Sequence, residues 1–105
     1  MTHDELNRLA AEKVMGIELA QDDSWWDGYY NYSNKGHYCS SIADAWLLVE
    51  KMMKDGFEMM LCTSGEDKTK AQCNIFLNRV IKGDKSADTA PLAITMACLK
   101  AVGVL

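Results

Sequence analysis

The sequence predicts an α+β domain, a small antiparallel sheet covered by helices on both faces. Three observations carry that prediction. Two segments repeat apolar residues at helical spacing, a third alternates them as paired strands do, and the segment before the C-terminus is apolar almost all round. At 105 residues the chain makes one domain, 1–105, and folding should bury roughly 65% of the surface the unfolded chain exposes.

Thr2 and Glu5 have the spacing of a capping box, in which hydroxyl and carboxylate satisfy free N–H groups at a helix start. A first helix should follow, with Leu6, Leu9, Ala10, Val14 and Ile17 on one face, an Asp4–Arg8 pair on another, and Gly16 as its stop. Leu19 to Asp23 reads as a polar connection. Trp25 to Tyr38, WWDGYYNYSNKGHY, then reads as neither helix nor strand. It holds six of the nine Phe, Trp and Tyr residues, so it is the stretch that the ordered parts would carry.

Ser40-Ser41 offers the next N-cap. Ile42, Ala45, Trp46, Val49, Met52 and Met53 follow at the spacing of a buried helical stripe, and Lys54-Asp55-Gly56 ends it. Phe57, Met59 and Leu61 alternate with Glu58, Met60 and Cys62, as Ala71, Cys73, Ile75 and Leu77 do with Gln72, Asn74 and Phe76. That is a β-hairpin with a charged tip at 64–70. Arg79 to Lys82 either prolongs the second strand or adds a short third one, with Gly83-Asp84 as the turn. A last helix begins at Asp88-Thr89-Ala90-Pro91, where the lone proline falls in the first turn and its missing N–H costs nothing. Between Leu92 and Val102 only Thr95 and Lys100 are polar, so this helix should be central.

Apolar residues at 49% and charged ones at 25% fit a soluble globular protein. No apolar run approaches the ~18 residues of a membrane span, and the polar, acidic start is unlike a signal peptide. Cytoplasmic location, in the host cell, is the expectation. A net charge of −4 disfavours tracking a phosphate backbone, so no direct nucleic-acid binding is expected. Cys39, Cys62, Cys73 and Cys98 form no CxxC and read as reduced, the last three as core residues.

The opening MTHDELNRLAAEKVMG, the helix start SSIADAWLLVEKM and the closing ADTAPLAITMACLKAVG resemble, in that order and spacing, the phage ABA sandwich domain family. DTAPLAI is the most specific part. The resemblance implies a three-layer α/β/α sandwich encoded by a phage or prophage, with no established enzymatic activity, and it supplies no functional residues. The family usually shows Trp and Pro between the first two helices; here the Trp pair is present and the Pro is absent.

The candidate partner-binding set is Trp25, Trp26, Asp27, Tyr29, Tyr30, Tyr32, His37 and Tyr38. Trp and Tyr supply large contact area at low entropic cost, with a polar tip for orientation. The alternative use of these rings is as a lid on the core. His37 and Cys39 lack the close ligand pairs of a zinc site and the third group of a Cys–His nucleophile, so neither metal nor cofactor is expected. The methionines at 52, 53, 59 and 60 read as core filling.

These readings lead to a non-enzymatic phage accessory binding protein, a counter-defence inhibitor such as an anti-CRISPR that binds a host immune protein. A nucleotide-signal sponge, holding a small molecule between aromatic rings, is one alternative. A phage assembly or lysogeny interaction protein is another. A homo-oligomer is compatible with all three.

Overall fold

Thr2 caps the first helix as its spacing predicts, its Oγ1 accepting from the Glu5 N–H at 3.1 Å. In the computed structural model, which describes residues 1–19, 25–26, 31–32, 36–63 and 70–105, helix α1 spans His3–Leu9. It continues as a π-helix over Ala10–Met15, a widening with no sequence signature. Gly16 ends it in the left-handed conformation at φ 73°, and the Ile17 N–H closes onto the Ala11 carbonyl at 2.9 Å. Leu6, Ala10, Val14 and Ile17 are buried, as the spacing predicts.

Helix α2, Ile42–Lys54, is capped by Ser41, whose Oγ accepts from the Asp44 N–H at 3.2 Å. Its buried stripe is Ala45, Leu48, Val49 and Met52, which corrects the expected one: Ile42, Trp46 and Met53 are exposed. This helix is apolar round more than one face, and the face that contains the small Ala45 lies in the core. Helix α3, Ala90–Ala101, is capped by Thr89 and has Pro91 in its first turn. It packs on the sheet, on α2, on α1 and on the π-helix, so it is central, as its apolar composition predicts.

Strands β4 (Glu58–Thr63), β5 (Ala71–Leu77) and β6 (Val80–Ala87) form one antiparallel sheet in that order. The expected turn at Gly83-Asp84 is corrected, because both residues lie inside β6. The turn is Asn78-Arg79, at φ 52° and 67°, between the paired Leu77 and Val80. A two-residue hairpin loop needs positive φ at both positions to match strand twist, and Asn tolerates this where Arg does not. Lys82 is the extra residue of a bulge between the Ile75–Gly83 and Phe76–Ile81 pairs.

Cross-strand rows fix the two faces. Met59–Ile75–Gly83 and Leu61–Cys73–Lys85 lie on the helix side, where Ile75 and Cys73 are fully buried under α3. Met60–Asn74–Asp84 and Cys62–Gln72–Ser86 lie on the other side, where β4 and β6 residues are exposed. There the Ser86 hydroxyl donates to Gln72 Oε1, and Gln72 Nε2 donates to Asn74 Oδ1 at 2.8 Å, the polar row expected of a face in water. The fold is α+β; the described residues show no helix layer on this second face.

A second antiparallel sheet has three strands of two residues each: β1 (Glu18–Leu19), β2 (Trp25–Trp26) and β3 (Asn31–Tyr32). It corrects two expectations, the purely polar connection from Leu19 and the reading of the aromatic stretch as neither helix nor strand.

Candidate functional site

The aromatic stretch is held at its far end by a set of backbone contacts. The His37 N–H donates to Asp44 Oδ2 at 2.9 Å, and the His37 carbonyl accepts from Ser40 and Ser41 at 3.2 and 2.8 Å. Asp44 thus stabilises the first turn of α2 and fixes the chain entering it. Two residues after His37, the Cys39 N–H donates to the buried Asn7 Oδ1 at 2.9 Å, which ties this entry to α1. Gly36, at φ 103°, lies against the Tyr38 ring: a β-carbon there would be 2.7 Å from Cζ, so a side chain would both strain the backbone and push the ring aside.

This anchoring sorts the predicted set. Tyr38 is buried in the core, 3% exposed, so its ring offers no open surface to a partner. His37, next to it, is exposed. Trp25 pairs with Leu19 and Tyr32 in one cross-strand row, and Trp26 with Glu18 and Asn31 in the next. Asp27, Tyr29 and Tyr30 lie outside the described residues.

A second surface corrects the reading of Met53 and Met60 as core filling, since both are exposed. Trp46, Val49 and Met53 of α2 meet Phe57, Glu58 and Met59 across an open groove of ≈ 420 Å³. Sequence reading placed Trp46 and Met53 in the core; the signal that could have exposed them is that Leu47 and Leu48 give α2 more apolar residues than one buried stripe can hold.

The cysteines carry no activated thiol in the core. Burial pushes the Cys73 and Cys98 thiols up to about 12 and raises that of Cys39, which also receives a side-chain hydrogen bond from Thr95 that opposes the shift. A thiol held protonated is a packing group and a poor nucleophile. Cys62 is exposed, a correction to its expected core position: β4 is an edge strand and its residue 62 lies in the outer row. Among the described residues no three His, Cys, Asp or Glu side chains gather as metal ligands, and no helix is long and apolar enough to cross a membrane.

The family model for the phage ABA sandwich domain matches residues 8–99. The chain belongs to that family. The match begins at the end of α1 and runs into the last turn of α3, so the π-helix, α2 and the core sheet of this phage ABA sandwich domain lie wholly within it. No curated protein and no solved structure matches the chain.

Proposed function

We propose that this phage protein acts by binding and not by catalysis, as a counter-defence inhibitor of the anti-CRISPR kind that clamps a host immune protein in the host cytoplasm. The observation that carries the reading is the placing of Trp25, Trp26 and Tyr32 in a small sheet apart from the core sheet, with the exposed His37 anchored close after it. Trp25 and Trp26 stand in consecutive cross-strand rows of that sheet, with Tyr32 opposite Trp25, so three large aromatic residues are gathered in two adjacent rows. Trp and Tyr are the residues that most often dominate interface energetics, and a net charge of −4 suits a basic protein face. Protonated core thiols fit a protein that binds.

Affinity purification of the tagged chain from host lysate, repeated with Trp25→Ala and Trp26→Ala, tests the reading. One enriched host protein, lost with either variant while folding is kept, supports it. A retained nucleotide without a protein would turn the reading to a signal sponge.

A further inference from the structure

The two edges of the core sheet differ in kind. Edge strand β6 carries Lys82, Asp84 and Lys85, contains a bulge, and is tied to α3 by the Lys100–Asp84 ion pair at 2.5 Å. Those are the devices by which proteins prevent a sheet edge from pairing further. Edge strand β4, Glu58–Thr63, is less guarded: it has no proline and no register shift against β5, and Glu58 at its start is its one charge. Its outer-row residue Met60 is 56% exposed, and Leu61, in the helix-side row, is still 38% exposed because nothing described covers that end.

The open groove lies along the same edge. Trp46 and Met53, 46% and 58% exposed, stand on its helix wall, and Phe57, Glu58 and Met59 lead from its floor into β4. The groove lies on the helix side of the strand edge, and Met60 stands on the outer side of the same edge. Trp46, Met53, Met60 and Leu61 together leave on the order of 400 Å² of apolar side chain in water, a patch of the size that on a monomer is normally functional.

We propose that this surface is closed by a second copy of the chain, with β4 pairing antiparallel to β4 of the partner about a twofold axis perpendicular to the sheet. The occupant follows from self-complementarity. An antiparallel edge bonds to its own copy with every N–H and C=O matched, and the axis must pass through a residue position, since an axis between residues would pair helix-side with outer-side rows. Pairing centred on Met60 sets Met60 against its own copy and Glu58 opposite Cys62, which keeps the two Glu58 carboxylates apart. The helix-side row then meets its copy at Leu61 and Met59, and the α2 helices approach across the axis and close the two grooves. The ~400 Å² of apolar side chain supplies about half of the ~800 Å² per partner of a standard stable interface, and the strand backbone and the α2 faces add to it. The result is one six-stranded sheet with β6, the guarded strand, at both ends.

This inference is independent of the counter-defence reading, which concerns a different surface. Light scattering on the purified 105-residue chain, at micromolar concentration in size-exclusion chromatography, tests it. The expected mass is twice the 11.7 kDa of one chain, falling to one chain for Met60→Lys and for Leu61→Lys. Met60 lies on the open face, so its variant keeps the core, and an unchanged circular dichroism spectrum verifies that. A single-chain mass for the wild type overturns the proposal, as does a folded Met60→Lys variant that remains dimeric.

Discussion

Gly83 of β6 lies against the backbone of α3 at Ala97: a β-carbon on Gly83 would stand 2.1 Å from the Ala97 carbonyl oxygen and 3.0 Å from the Ala101 amide nitrogen. Neither atom belongs to a side chain that could rotate away. The central helix therefore sits on the sheet at a distance that one missing methyl group sets. Gly83→Ala should destabilise the domain by about 3 kcal/mol through overpacking, read as a lower urea midpoint, whereas Ser86→Ala in the same strand should change it little.

Arg79 holds a left-handed conformation that a side chain adopts at a cost. Replacing it by glycine relieves that strain in a turn that favours Asn-Gly. Arg79→Gly should stabilise by ~1 kcal/mol, seen as a melting temperature several degrees higher. Arg79→Val, β-branched, should move it the other way.

Asn7 supplies the acceptor for the buried Cys39 N–H. Asn7→Ala leaves that donor unpaired away from water and should cost ~1–3 kcal/mol. Amide hydrogen exchange localises the effect: protection at Cys39 should fall well before that of α3.

The thiols should divide by burial. In the native protein Cys62 should react quickly with a thiol reagent, and Cys39, Cys73 and Cys98 only on unfolding. Their folded-state thiols titrate above the ordinary value near 9, so the unfolded chain gives up its protons first as pH rises. The stability this contributes is whole below about pH 9 and declines above it as the unfolded chain loses its thiol protons, for Cys73 and Cys98 until about pH 12. Cys73→Ala should flatten that decline while lowering stability at neutral pH.

What the sequence made legible was whatever local chemistry decides. Thr2, Ser41 and Thr89 announced three helix starts because a capping hydroxyl acts within three residues, and the alternation of 57–62 and 71–77 announced a hairpin because it repeats at the pleat's period. The errors arose where tertiary contact decides. Gly83 looked like a turn, since glycine marks turns, but its smallness serves the approach of α3; the true turn at Asn78-Arg79 lacked the glycine that signals it. On α2 two apolar stripes competed, and Ala45 placed its own in the core. Of the candidate site, Tyr38 was assigned to the surface because a Tyr suits both environments, and its burial follows from a fold at Gly36 that no pattern encodes. Two-residue strands leave no periodicity at all to read.

The central claim, that the Trp25–Tyr32 sheet is a contact surface, is tested most directly by measuring thermal stability and partner capture together for Trp25→Ala and Trp26→Ala, with the fully buried Leu99→Ala as the folding control. The account predicts that at least one Trp variant loses the captured host protein while its melting temperature stays within a few degrees of wild type, and that Leu99→Ala loses ~2–5 kcal/mol of stability. Both Trp variants unfolding as severely as Leu99→Ala would make these rings core and contradict it.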